Sequence, residues 1–399
     1  MRGTLFPLAA TLAVQLLVSM AVVTVPVLAP ALARDTGVPP GFVGLFIALV
    51  YGAGMAASLA SGALVRRYGA IRLSQACLVS CATGLACLAT GAPALLAAAA
   101  VLLGLGYGPV TPASSHVLAK TTPPRMMALV FSLKQTGVPL GGAAAGAVVP
   151  ALVAWGDWRA AALAVGAACL ATVAIAQPLR ASLDADRDPS SRIAAHGLAG
   201  PLRYTLGDAA LRRLAFCSFF FAALQLCLVT FLVTHLTLNL GFSLVEAGLM
   251  LSAAQGGGVV ARIAWGAIAD RWGRPMRLLG LVALAMGLAA LATAGFTPGW
   301  SMSAVAAVCA AFGATAIGWN GVYLAQIARL APPGKAGDAT GGSLVFTYGG
   351  ALFGPPAFTG LVAAGASYAA AFVAVAVPAV ACGLWLLWRE RGGPGAATG

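Results

Sequence analysis

Charge is scarce in this sequence. Asp, Glu, Lys and Arg make up 8% of its 399 residues, against about 25% in an ordinary soluble domain, so water is not its main solvent. Acidic residues are the scarcest, ten in all, and none lies deep in an apolar run. Histidine is nearly absent, with three, and no His, Cys and acid share the spacing of metal ligands. There is no G-x-x-x-x-G-K-[ST] run, which excludes a P-loop for ATP. No nucleophile stands beside a base, so the expectation is a protein that is not an enzyme and uses no cofactor. The eight cysteines are scattered through apolar runs. Cys77 and Cys81 would share a helix face, but no ligand joins them, and they read as small core residues.

What the chain has in abundance is apolar sequence: 60% hydrophobic residues and 50 glycines. Twelve apolar segments fall at roughly 6–30, 41–64, 71–91, 94–118, 127–152, 160–179, 212–236, 244–268, 276–296, 300–327, 339–364 and 367–388. Each is near the ~20 residues that cross a bilayer. The first is too long for a signal-peptide core and is read as a retained span. The net charge of +13 would suit nucleic acid, but its placement argues against that partner. Of the 23 Lys and Arg, all but Arg34, Arg159, Lys134 and Arg262 fall in loops on one predicted side. That bias places both termini in the cytoplasm, and the expected location is a bacterial inner membrane. Leu183 to Asp208 is the one long polar connection, with Asp184, Asp186, Arg187, Asp188, Arg192 and Arg203.

The halves repeat. Gly62-Ala-Leu-Val-Arg66-Arg67-Tyr-Gly69 matches Gly266-Ala-Ile-Ala-Asp270-Arg271-Trp-Gly273 at an offset of 204, each joining the second and third spans of its half. Two six-span repeats of one orientation predict halves related by an axis along the membrane normal. The fold class is therefore an all-α membrane protein of twelve transmembrane helices in two pseudo-symmetric six-helix bundles. The expected units are 1–182 and 210–399, joined by a linker at 183–209, in a monomer.

On these residues the chain resembles the major facilitator superfamily. The family's turn after span two runs G-x-L-x-D-R-x-G-R, and Gly266 to Arg274 fits it, with Asp270, Arg271, Gly273 and Arg274 in place. The first copy departs: Arg66 stands where the family has its aspartate, and Ala70 where it has a basic residue. The resemblance implies a gating role for both turns. Drug/proton antiporters of the family carry an arginine in span four, absent here, and a GPxxGG pattern that Gly137 to Gly142 matches only in part. Ala261-Arg262-x-x-x-Gly266 is similar to the eighth-span arginine motif of monocarboxylate and oxalate/formate carriers, in which the arginine binds carboxylate. Those carriers' acidic residue one turn earlier is replaced by Gly258, and their first-span aspartate-glycine motif is absent. Lys134-Gln135-x-Gly137-x-Pro139 resembles a pattern of cyanate-permease-like carriers.

Two cations remain inside apolar runs. Lys134 lies nine residues past Arg125, about 13 Å along its helix, and Arg262 eight residues before Asp270, about 12 Å in. The resemblance implies that spans five and eight pack together, which would bring the two to similar depth. Like charges in low dielectric repel unless an anion lies between them. Arginine's fork and lysine's point charge suit a carboxylate. The alternative is that Lys134 snorkels to water and Arg262 bonds helix carbonyls. Gln135, Gln255, Asn320, Tyr323 and Tyr348 join the candidate substrate-binding set; Gln15 and Gln225 lie on spans that line the family's cavity. The expected function is secondary transport of a small organic anion, monocarboxylate-like, by alternating access, with the solute and the lipid bilayer as partners. A coupled proton is left open, since no deep carboxylate is present. The rival is a drug or metabolite efflux antiporter of the same fold.

Overall fold

The structure, a computed structural model, describes residues 2–123, 126–191, 199–331 and 336–391. Among these, every regular element is a helix. Arg125, Arg192 and Lys335, assigned above to the charged side, lie outside the described residues.

The helices follow the apolar runs, because a run with no polar partner nearby must satisfy its backbone internally. The first half holds α1 (Arg2–Thr36), α2 (Phe42–Tyr68), α3 (Ala70–Ala89), α4 (Pro93–Tyr107), α5 (Val110–Thr121), α6 (Met127–Gln135), α7 (Gly137–Trp155) and α8 (Trp158–Ala176). A 3-10 turn (Gln177–Leu179), α9 (Arg180–Leu183) and α10 (Ala199–Gly207) follow. The second half holds α11 (Ala209–Leu240), α12 (Leu244–Trp272), α13 (Pro275–Ala294), α14 (Met302–Ala316), α15 (Asn320–Leu330), α16 (Ala336–Ala363) and α17 (Tyr368–Arg391). Eleven helical spans among the described residues are long and apolar enough to cross a membrane. The remaining segment, α16, has 28 residues, with glycines, threonines and two prolines diluting its apolar content.

Spans four, five and ten are each two helices end to end. In span four the break is at Gly108 and Pro109, and in span ten at Ile317 to Trp319. Pro109 supplies no N–H to the carbonyl four residues before it. Gly108 also lies against the backbone of Gly54 on α2, where a Cβ would overlap the Gly54 carbonyl.

The chain divides into two compact units, Met1–His196 with Phe242–Ser252, and Gly197–Gly241 with Ala253–Gly399. In unit 1, α1 packs against α7 and also touches α8, α5 and α3. Ser19 Oγ donates to the Val138 carbonyl at 2.8 Å, tying α1 to α7. The first turns of α12 also belong to this unit, and Ser252 Oγ donates to the Ala143 carbonyl at 2.8 Å. In unit 2, α11 packs along α16 and α13 along α17. Phe231 stacks on Phe358 at 4.2 Å between ring centroids, and Phe358 meets Phe372 edge-on at 4.9 Å. His235 is buried against Tyr368 and takes its polar contact from Asn239.

Candidate functional site

Span five carries the buried cation of unit 1. Pro139 removes the helical donor for the Gln135 carbonyl and its ring crowds that carbonyl, so α6 stops at Gln135 and α7 begins at Gly137. Thr136 bridges the break, its N–H and hydroxyl both reaching the Leu133 carbonyl. Lys134, in the last turn of α6, is only 1% exposed. Its Nζ donates to Gln135 Oε1 at 3.2 Å. Among the described residues no carboxylate lies within ion-pair distance of it.

One helical turn on, Gly137 faces α1: a Cβ there would sit 3.1 Å from Cβ and Cγ of Gln15. Gln15 is itself 1% exposed. Its Oε1 accepts from Thr111 Oγ1 at 3.1 Å, which turns its amide N–H groups away from Thr111. Spans one, four and five thus bring Gln15, Thr111, Lys134 and Gln135 into one region of unit 1.

In unit 2 the polar residues gather on the break in span ten. A helix that stops inside an apolar run leaves carbonyls without donors, and each must find one. Two come from α12: Trp265 Nε1 donates to the Ala314 carbonyl at 2.9 Å, and Arg262 Nε to the Ile317 carbonyl at 3.3 Å. Gln225 on α11 receives Trp319 Nε1 and Asn320 Nδ2, both at 3.1 Å, on its Oε1. Tyr323 is buried, its hydroxyl spent on Ser218 Oγ at 3.0 Å and the Ser343 carbonyl at 3.3 Å. Thr347 joins that group through Ser218 at 3.0 Å, and Tyr348, half-buried, is the next residue of α16. Gln255 is 4% exposed, two turns before Arg262 on α12.

A family model described as the Major Facilitator Superfamily matches residues 11–355. The chain belongs to the Major Facilitator Superfamily. Two curated relatives, each described as an uncharacterized MFS-type transporter of Mycobacterium tuberculosis (strains CDC 1551 / Oshkosh and H37Rv), are 27% identical over 259 residues. The match covers 65% of this chain and 57% of each relative, so the chain spans little more than half their length. Two solved structures are of a bacterial homolog to the human lysosomal transporter Spinster, inward-facing, one occupied and one unoccupied. They match with TM-scores of 0.73 and 0.74 at 18% and 16% identity, over 97% and 98% of this chain and 96% and 97% of theirs. That likeness shows the fold: twelve helices in two six-helix bundles. As a member of that superfamily with many apolar helical spans, the chain is a multi-pass membrane protein.

The two superfamily turns differ in how they are held. In the second, Gly273 takes φ +65, and Asp270 Oδ1 pairs with Arg329 Nη2 at 2.6 Å across to the end of α15. Gly266, Arg271 and Arg274 complete this turn, both arginines being exposed. In the first, Gly62 and Arg66 are exposed, and the Arg66 carbonyl accepts from the Asp188 N–H at 2.7 Å. No aspartate stands in this turn, but a carboxylate arrives from beyond span six. Asp184, 3% exposed, accepts from the N–H groups of Ile71 at 2.8 Å and Arg72 at 2.9 Å, satisfying the open start of α3. Gly69, at φ +93, lies where a Cβ would overlap that carboxylate.

Asp184 was only one of the linker acids in the sequence reading. Its partners lie 113 and 112 positions away, and no short-range pattern connects them. Thr111 and Trp265 were missed for the same reason: their polar contacts are made across helices, to Gln15 and to the Ala314 carbonyl.

Proposed function

We propose that this transporter carries a small organic anion, monocarboxylate-like in size and charge, across a bacterial inner membrane by alternating access, with both termini in the cytoplasm. The observation that carries this reading is Lys134, a cation 1% exposed, held by one amide oxygen and with no carboxylate near it among the described residues. Leaving a lysine in such a place costs about 2.5–3.5 kcal/mol on insertion scales. A substrate carboxylate offsets that cost each time it binds. Arg262 is assigned to the same anion by its resemblance to the eighth-span arginine of monocarboxylate carriers. Gln135, Gln255, Asn320 and Tyr348 supply neutral contacts, while Tyr323 braces α16 beside Tyr348. The likeness to a homolog solved both occupied and unoccupied supports a cycle in which the site loads and empties.

The test is counterflow in liposomes holding the purified full-length protein, with labelled monocarboxylates, dicarboxylates and inorganic anions. Wild type should accumulate a monocarboxylate, and Lys134→Ala and Arg262→Ala should each abolish it. A wild type that moves only neutral or cationic compounds overturns the reading and favours the efflux antiporter.

A further inference from the structure

A second basic site lies in unit 1, at the charged end of span six. A cavity of about 430 Å³ is lined by Gln177, Arg180, Ala181, Asp184, Ala185 and Arg187. Two alanines keep it open, and two guanidinium groups set its sign. Arg180 Nε is shut off from solvent and has no hydrogen-bond partner among the described residues. The unmet donor needs an acceptor, since a buried polar group without one is costly.

The protein's own acids do not supply it. Asp184 lines the cavity, but each of its oxygens already accepts an α3 amide. Asp186 is held by His116 at 2.8 Å and Lys120 at 2.6 Å. Asp188 takes the N–H and hydroxyl of Ser190. Neither Arg180 nor Arg187 is in an ion pair among the described residues. Every carboxylate in this stretch is engaged elsewhere, and two arginines are left over.

We propose that this cavity binds the phosphate of an anionic phospholipid headgroup. Guanidinium forks match phosphate oxygens in geometry, and basic pockets at the ends of membrane helices suit such headgroups. The lipid is favoured over a free anion by the surface leading to the cavity. On α8, Leu163, Leu170 and Ile175 are large apolar residues exposed on the outside of the unit, Ile175 by 75%. Leu163 and Leu170 share one face of α8 and Ile175 lies about 120° around it in the last turn; acyl chains covering this surface would end with the headgroup at Gln177 and Arg180. This site is separate from the transported anion and does not depend on its identity.

The experiment is native mass spectrometry of the full-length protein in detergent, offered phosphatidylglycerol, phosphatidylcholine or inorganic phosphate. Wild type should retain phosphatidylglycerol in preference to phosphatidylcholine, and excess inorganic phosphate should not displace it. Arg180→Gln and Arg187→Gln should each weaken that retention about fivefold, given what one basic residue near a charged lipid surface is worth. Arg180→Lys keeps the charge but loses the fork and the Nε donor, so its retention should fall between wild type and Arg180→Gln. Equal retention of the two lipids by wild type, or undiminished retention by the double glutamine variant, overturns the site. Full displacement by inorganic phosphate overturns the lipid as its occupant. The wild-type comparison stands even where a variant fails to fold.

Discussion

Replacing Lys134 with Met separates the two readings of that residue by the sign of a stability change. Met keeps the length of the side chain and removes the charge. Wild type bears about 2.5–3.5 kcal/mol for a lysine inside an apolar span. It recovers part through the bond to Gln135 Oε1, since a hydrogen bond from a charged group contributes about 1.5–3 kcal/mol. The balance favours Met by roughly 1 kcal/mol in the empty protein. Were Lys134 neutralised by a protein carboxylate, its removal would instead destabilise by about 3–5 kcal/mol, leaving a buried acid unpaired. Thermal unfolding in detergent reads the sign. The same assay with a monocarboxylate added supplies the second half of the test. At about a hundred times Kd, a ligand stabilises the protein it binds by about 2.7 kcal/mol. Wild type should show that upward shift and Lys134→Met should not. A variant that melts well below wild type refutes the uncompensated-cation account, and one that keeps the full anion-induced shift refutes the substrate role.

Asp184→Ala should expose the amides of Ile71 and Arg72 to exchange, because those two N–H groups have the carboxylate as their acceptor. With about 2 kcal/mol of capping lost, hydrogen exchange at those positions should quicken roughly thirtyfold, and unchanged rates would show that the cap does not hold α3. Lys120, hydrogen-bonded to Asp186, with His116 adding to it, keeps the Asp186 carboxyl below its ordinary value. The group releases its proton more readily when docked, so its contribution is full above about pH 4 and fades as pH falls through the depressed value. Proteolysis around 183–188 should therefore rise only in acid, and Asp186→Asn should remove that dependence; a rise starting near neutrality would contradict it. Trp265→Phe strips the donor from the Ala314 carbonyl at the break in span ten and should destabilise by about 1–2 kcal/mol; an unshifted melting temperature would mean that carbonyl has another acceptable partner.

The spans were legible because bilayer thickness fixes their length and their backbone has no alternative to helix. The breaks were not. Pro26 and Pro30 sit inside α1, Pro150 inside α7 and Pro355 and Pro356 inside α16 without ending those helices, whereas Pro109 and Pro139 lie at interruptions. Proline frees a carbonyl in every case; whether the helix then parts depends on what neighbouring helices offer, and that is tertiary information. The candidate site shows the same division. That Lys134 lies deep in a run could be read from the run itself. That Arg262 reaches the Ile317 carbonyl depends on a contact 55 positions away, and the sequence offered it only as an alternative to an anion-binding role.

The bonds made at the helix breaks differ in length, and under the proposed anion role the difference matters. Frame contacts are of ordinary strength: Trp265 to the Ala314 carbonyl at 2.9 Å, Ser19 to the Val138 carbonyl at 2.8 Å. The bond from Lys134 to the Gln135 amide oxygen, at 3.2 Å, and that from Arg262 Nε to the Ile317 carbonyl, at 3.3 Å, are longer, at or beyond the upper end of the usual N–H···O range. A carboxylate would meet either group at about 2.7–2.9 Å, with roughly twice the strength of a neutral bond. Exchanging a long bond to an amide or carbonyl for a short one to an anion is therefore favourable. At Lys134 the group released would be the neutral Gln135 amide, so the protein could take that bond back when an anion leaves. A buried aspartate as permanent partner would hold Lys134 too well for that exchange.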